Sequence, residues 1–204
     1  MKALFPSIGY ERLRMGTDGE GVTTLVCAAG CPLRCAYCIN PESSIKKCKP
    51  KHIFTPESLY DTVKIDSLYF LATGGGVTFG GGEPLCYSRF IADFAALARG
   101  WKINAETSLW VTEDSVRTAA KVVDTFFVDV KDMDPEIYKA YTGRDNSRVI
   151  ENLKLLASLV PSERVIVRLP LIKDYNGDSD RDKSEAVLRK MGFTRFDRFD
   201  YVIK

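Results

Sequence analysis

The sequence predicts an α/β fold, an open partial (β/α)6 barrel of parallel strands with helices on the outside. Short β-rich runs alternate with amphipathic helical patterns down most of the chain, and such alternation implies parallel strands joined by right-handed crossovers. The 204 residues suit one domain, 1–204, with a core of ordinary size. No internal repeat or low-complexity tract interrupts the pattern.

The first strand is expected over Val22–Ala28, an apolar run that carries Cys27 as a small hydrophobe. Further strands are expected at Val77–Phe79, Lys102–Thr107, Phe126–Val130, Arg164–Leu169 and Phe199–Ile203. Between them fall helices at Pro56–Ile65, Arg89–Arg99, Glu113–Val122, Pro135–Tyr141 running on to Asn146–Leu159, and Lys183–Lys190. Thr55-Pro56-Glu57 and Asp134-Pro135-Glu136 each place a capping side chain before a first-position proline. Six such strand-then-helix units are too few for a closed eight-stranded barrel and fit an open one. Sites on folds of this kind lie at the carboxyl ends of the strands.

Composition narrows the function. Apolar residues make up 45% and charged residues 27%, with 29 basic against 27 acidic side chains and a net charge of +2. Like charges form no run long enough for a nucleic-acid or membrane footprint, so no nucleic acid and no membrane is expected as partner. The start, Met1-Lys2-Ala3-Leu4-Phe5-Pro6, lacks the apolar stretch of a secretory signal, and the expected location is cytoplasmic. Of the six cysteines, three crowd into one short loop, which in a reducing compartment marks a metal or redox site rather than disulfides. Cys86 is expected to be a small buried residue. Cys48 and His52 lie among Lys46, Lys47, Lys49 and Lys51 in what reads as a solvated loop.

That loop of three is Gly30-Cys31-Pro32-Leu33-Arg34-Cys35-Ala36-Tyr37-Cys38, directly after the first strand, with C-x3-C-x2-C spacing. Three thiolates on one loop can hold three corners of an iron–sulfur cubane and leave the fourth iron open to an exogenous ligand, the logic that separates catalytic from structural metal sites. A zinc ribbon completed by Cys27 or Cys48 is the alternative, but it ordinarily needs a second C-x2-C knuckle.

The spacing resembles the radical S-adenosylmethionine (SAM) superfamily. The likeness then extends along the chain to the activating enzymes of glycyl radical enzymes, the pyruvate formate-lyase activating enzyme and its relatives. Gly74-Gly75-Gly76-Val77-Thr78-Phe79-Gly80-Gly81-Gly82-Glu83-Pro84-Leu85 resembles their G-G-G-V-T-x-S-G-G-E-P-L segment. Asp18-Gly19-Glu20-Gly21 is similar to their D-G-P-G. Asp129-Val130-Lys131-Asp132-Met133-Asp134-Pro135 with Tyr141-Thr142-Gly143 is similar to D-L-K-x-M-D-P and Y-T-G, and Arg168-Leu169-Pro170-Leu171-Ile172 with Asn176 to R-x-P-L-I-P-G-x-N-D.

The resemblance implies a [4Fe–4S] cluster on Cys31, Cys35 and Cys38, with SAM chelating the open iron. It implies SAM contacts from the Gly81–Gly82 edge and Glu83, from Tyr37 through its backbone, and from Asn40, Asp129, Lys131 and Arg168. Asp129 and Lys131 are the expected catalytic pair. Glu106 and Thr107 match an Asp-Thr pair implicated in a monovalent cation site. The implied reaction is reductive cleavage of SAM and hydrogen abstraction from a glycine of a partner glycyl radical enzyme. A flavodoxin- or ferredoxin-type donor would supply the electron.

Read without the resemblance, an internal ion pair with no ligand is the alternative for Arg168 and for the Asp129–Lys131 pair. Other readings are radical modification of a peptide or small molecule, and an iron–sulfur or zinc module without turnover. The chain also departs from the family pattern: Glu20 replaces proline, Thr23 an arginine, Ile39 a histidine, Gly80 a serine, Glu106 an aspartate, and Tyr138 stands where relatives often have histidine. The relatives' pattern continues past the position corresponding to Lys204.

Overall fold

The structure, a computed structural model, describes residues 3–41 and 48–201. Its strands are β1 (Phe5–Met15), β2 (Val22–Ala28), β3 (His52–Phe54), β4 (Gly76–Gly81), β5 (Lys102–Thr107), β6 (Thr125–Asp129), β7 (Val165–Leu171) and β8 (Arg195–Asp200). The helices are α1 (Pro56–Val63), α2 (Ser67–Thr73), α3 (Ser88–Leu97), α4 (Glu113–Ala120), α5 (Pro135–Thr142), α6 (Ser147–Leu159) and α7 (Asp178–Lys190), with short 3-10 turns between some of them.

All eight strands form one open sheet in the order β3-β1-β2-β4-β5-β6-β7-β8. From β2 to β8 every pairing is parallel, which is the expected six-strand partial barrel. The two additional strands are antiparallel: β1 pairs with both β2 and β3. Thus the first expected strand is the second of the fold. The last one is β8, over Arg195–Asp200 rather than Phe199–Ile203, because Phe196 and Phe199 sit on a polar edge strand paired to β7. Val202 and Ile203 lie outside the described residues, as do Lys46 and Lys47.

The helices form where capping and apolar spacing agree. Thr55 accepts the backbone N–H of Ser58, and Asp134 accepts those of Glu136 and Ile137, each before a proline. Gly143 ends α5 in the left-handed conformation. The helix expected over Pro56–Ile65 breaks after Val63 into a 3-10 turn, and α2 follows it. Side chains from the outer helices close a core around Phe79, Phe90, Phe94, Val128 and Leu153. Cys86 lies in an exposed 3-10 turn, against the expectation that it is buried; Pro84 and Leu85 take the interior positions there. Among the described residues no helix is long and apolar enough to cross a membrane.

Candidate functional site

The three-cysteine loop leaves β2 through Ala29 and Gly30 and lies over the carboxyl ends of the parallel strands. Two backbones grip it. On one side, the N–H of Gly82 donates to Ala28 O (3.0 Å) and that of Glu83 to Gly30 O (2.9 Å). On the other, the end of α5 accepts from the loop, Arg34 N–H to Thr142 O (2.9 Å) and Ala36 N–H to Tyr141 O (3.0 Å), on either side of Cys35. Arg144 adds a bond from Nε to Pro32 O (3.3 Å). The D-x-K…Y-T-G stretch therefore works partly as a clamp on the cysteine loop.

The glycine edge fits this contact sterically. A Cβ on Gly82 would stand 2.3 Å from Gly30 O, and Gly81 has φ of +85° with Cys27 2.6 Å from where its Cβ would be. Next along, Glu83 is 1% exposed, and its carboxylate accepts four hydrogen bonds: from Thr107 Oγ1 (2.7 Å), Ser108 N–H (2.9 Å), Ser108 Oγ (2.7 Å) and Leu85 N–H (3.2 Å). Burial holds its carboxyl above the ordinary range against the pull of those donors. The described bonds of Glu83 and Thr107 thus tie the end of β4 to the end of β5.

The charged side chains expected on the strand ends meet across the sheet. Arg168 donates from Nε to Asp129 Oδ1 (2.6 Å) and from Nη1 to Glu106 Oε1 (2.8 Å), while Lys131 Nζ lies 3.5 Å from Asp129 Oδ2. Register explains the meeting, since Asp129 pairs directly with Arg168 and Glu106 is opposite Phe127, over whose ring the guanidinium lies. Although burial opposes ionisation, Lys131 and Arg168 hold the Asp129 carboxyl below its usual value. Burial also opposes the charge of Lys131, yet Asp129 and Cys35 raise it. Glu106 is pushed up by burial despite Arg168. A monovalent cation does not fit beside Glu106 here, because Arg168 already supplies the positive charge and the Thr107 hydroxyl donates to Glu83.

Tyr37 packs with Tyr141 and Tyr175 at the mouth, and its hydroxyl donates to Asp174 (3.3 Å). Tyr201 completes this aromatic group beside Tyr141 and under Lys131. Asn40 is half-buried at the far end of the loop. Two residues outside the expected set also order the mouth. Asp132 accepts from Ser184, Asn176 and the Asp134 N–H, and Asn176 also binds Ile172 N–H and Pro170 O, knitting the loop after β6 to the loop after β7. The only sequence signal for them is their place in motifs.

The donor chemistry suits a cluster, since Cys31, Cys35 and Cys38 are three half-buried soft sulfur donors on one loop, although among the described residues no three ligand-type side chains stand close enough together, as placed, to hold a metal ion. The Tyr138 hydroxyl is buried here with no partner among the described residues.

With this geometry in view, similarity to known proteins can be weighed. The family model of the radical SAM superfamily matches residues 25–183. The chain is 29% identical to the (2S)-3-sulfopropanediol dehydratase activating enzyme of Klebsiella oxytoca, over 86% of this chain and 74% of that protein. It is 28% identical to the 4-hydroxyphenylacetate decarboxylase activating enzyme of Clostridium scatologenes, over 83% and 74% respectively. Among solved structures, Streptococcus suis SuiB bound to S-adenosylmethionine has a TM-score of 0.64 at 15% identity, over 84% of this chain and 38% of SuiB. The anSMEcpe structure with bound AdoMet has a TM-score of 0.63 at 21% identity, over 84% of this chain and 49% of that one. The chain spans less than half of either solved structure, and at those identities the likeness is one of fold.

Proposed function

This chain belongs to the radical SAM superfamily, and from that premise we propose that it is an activating enzyme that abstracts a hydrogen atom from a glycine of a partner glycyl radical enzyme. The superfamily uses a [4Fe–4S] cluster and SAM, and when bound here they would supply one-electron reductive cleavage of the SAM S–C5′ bond, to methionine and a 5′-deoxyadenosyl radical. Cys31, Cys35 and Cys38 would hold the cluster. The observation that carries the reading is that this loop is clamped between the Gly82 edge and α5, beside Asp129 and Lys131.

Each surrounding residue then has work of its own. Gly81 and Gly82 let the end of β4 pack against Cys27, Ala28 and Gly30, which seats the cysteine loop. Asp129, held ionised, and Lys131, held cationic, would contact SAM, and Arg168 would fix Asp129 in place. Glu83 and Thr107 would brace the ends of β4 and β5 from beneath. Tyr37 and Tyr175 would shield the mouth from water, with Asn40 at its rim. The names of the similar activating enzymes support a glycyl radical enzyme as the protein substrate. A flavodoxin- or ferredoxin-type electron donor, a cytoplasmic location and a single domain over 1–204 complete the proposal.

Anaerobic reconstitution with iron and sulfide, reduction and addition of SAM should yield 5′-deoxyadenosine, with the yield lost in Cys35→Ala. Addition of a candidate glycyl radical enzyme should then produce a glycine-centred radical signal. SAM cleavage without that signal would move the reading to a peptide or small-molecule substrate. A loaded cluster with no cleavage would leave a binding module.

A further inference from the structure

The rim of the cysteine loop carries three arginines whose charge the proposed chemistry leaves unused. Arg34, Arg144 and Arg148 are all exposed, and none of them has a carboxylate partner among the described residues. Arginines elsewhere on the surface do take one: Arg117 pairs with Glu113 at 2.6 Å and Arg189 with Glu185 at 2.7 Å. Two of the three are also held in place. Arg144 and Arg148 set their guanidiniums over the ring of Trp110, 4.8 and 4.3 Å from its centroid, and Trp110 Nε1–H donates to Asp145 O (3.2 Å). Stacking on an aromatic face limits the freedom of a guanidinium yet leaves its N–H edge to bind an outside carboxylate. The Asp145 carboxylate does not compete, being bound to the N–H and hydroxyl of Ser147.

Their position completes the observation. Arg144 Nε donates to Pro32 O (3.3 Å) and Arg34 N–H to Thr142 O (2.9 Å), so the cations sit against the stretch that carries Cys31 and Cys35. A Cβ on Gly143 would meet Arg34 Cβ at 3.9 Å, which places that side chain over the connection from α5 to α6. The group lies over the loops that follow β5 and β6, whereas the tyrosine mouth draws Tyr175 and Tyr201 from those after β7 and β8. The cysteine loop thus has two approaches, one past the tyrosines and one over the arginines.

We propose that Arg34, Arg144, Arg148 and the ring of Trp110 are the docking surface of an acidic one-electron carrier protein, which reduces the cluster held by the adjacent loop. The inference rests on the cluster site proposed above and gives its electron donor a place. The carrier, a flavin or iron–sulfur protein, is oxidised by one electron and the cluster reduced by one, with no bond made or broken. Such transfer falls steeply with distance, so the donor has to bring its redox centre against the cysteine loop. Brief contacts of this kind are small and are steered by opposite charge rather than held by a large apolar area. Tryptophan and arginine together are a composition favoured in protein interfaces. The matching face on the partner is one of Asp and Glu carboxylates, which guanidiniums bind in bidentate fashion.

The test uses reduced flavodoxin as the carrier, mixed anaerobically with the reconstituted holoenzyme while flavin oxidation is followed by stopped flow. Arg34→Glu/Arg148→Glu is compared with wild type, Arg144 being kept because it also holds Pro32. At low salt the second-order rate should fall about tenfold or more in the double variant, and added salt should bring the wild-type rate down toward it. Cluster content, reduction by dithionite and the 5′-deoxyadenosine yield with dithionite should be unchanged. Isotope-labelled oxidised flavodoxin, titrated with wild type, should show NMR shifts in acidic residues near its flavin that are missing with the variant. Arg34→Gln/Arg148→Gln, with a smaller loss expected, serves if charge reversal disturbs loading. Equal rates in wild type and variant, with flavodoxin and with a ferredoxin in its place, would overturn the proposal, as would an equal loss with dithionite. A variant that keeps donor reduction but loses affinity for the glycyl radical enzyme would overturn it too, giving the arginines to the substrate protein. A wild type that loads no cluster, or one that dithionite does not reduce, would instead remove the reading beneath it.

Discussion

The two ends of the parallel sheet are built on opposite plans. At the amino ends, the loop Gly16–Glu20 and the starts of β6, β7 and β8 enclose a cavity of about 620 Å³, lined by Thr125, Phe127, Ile166, Arg195 and Asp197 among others. At the carboxyl ends lie the three cysteines, the glycine edge, Asp129, Lys131 and the orphan hydroxyl of Tyr138. Arg168 belongs to both, facing the cavity while it pairs with Asp129 and Glu106. Chemistry chooses the carboxyl end as the site, because that is where three thiols, the buried Glu83 carboxylate and the Asp129–Lys131 pair gather.

Substitutions at the two ends should therefore differ, and the shared residue should show the largest effect. Arg168→Met leaves Glu106 without its ion-pair partner and Asp129 with Lys131 alone. After allowance for their partial exposure this should cost about 2–4 kcal/mol, read by denaturant melts. The loss should depend on pH. In the wild type, Asp129 is held low, so its contribution is present at neutral pH and is lost only as pH falls through that lowered value. In the variant, burial acts on both carboxyls unopposed by Arg168. The deficit should be full at neutral pH and shrink as acid protonates them; a deficit that grows on acidification would contradict the pairing.

Gly82→Ala comes next. Its Cβ would press on Gly30 O, and shifting the loop should cost about 1–3 kcal/mol and reduce iron uptake on reconstitution. Glu83→Gln turns an acceptor into a donor facing other donors and should destabilise by about 1–3 kcal/mol, seen as a lower melting temperature. Glu20→Ala, at the exposed rim of the cavity, should change stability by less than about 0.5 kcal/mol and leave 5′-deoxyadenosine formation unaltered. A large loss of turnover there would move the site toward the amino end.

Much of this contrast is legible in the sequence, unevenly. The central parallel strands announce themselves because both faces are buried and their runs are nearly continuous in apolar residues, as in Val22–Ala28. Strand β1 does not: Gly9, Arg12 and Arg14 break its pattern, and its pairing with β2 shifts register twice. Helix α2 is Ser67-Leu68-Tyr69-Phe70-Leu71-Ala72-Thr73, with no polar face and with Leu68 and Leu71 exposed, so periodicity cannot reveal it. The cysteine spacing and the inward charges of β5 to β7 point to the site from sequence alone. What cannot be read is which partner each polar group takes. Arg168 selects Glu106 and Asp129 through strand register, Glu83 turns to Ser108, and Tyr138 finds none among the described residues; these outcomes depend on three-dimensional packing that no local pattern encodes.

The most direct measurement of the central claim is the EPR spectrum of the reduced, reconstituted protein with and without SAM. A cluster on Cys31, Cys35 and Cys38 with an open iron should give a reduced signal whose g-values change when SAM is added, in Glu20→Ala as in the wild type. A reduced signal indifferent to SAM would mean that the carboxyl-end site does not hold the ligand for which it is built.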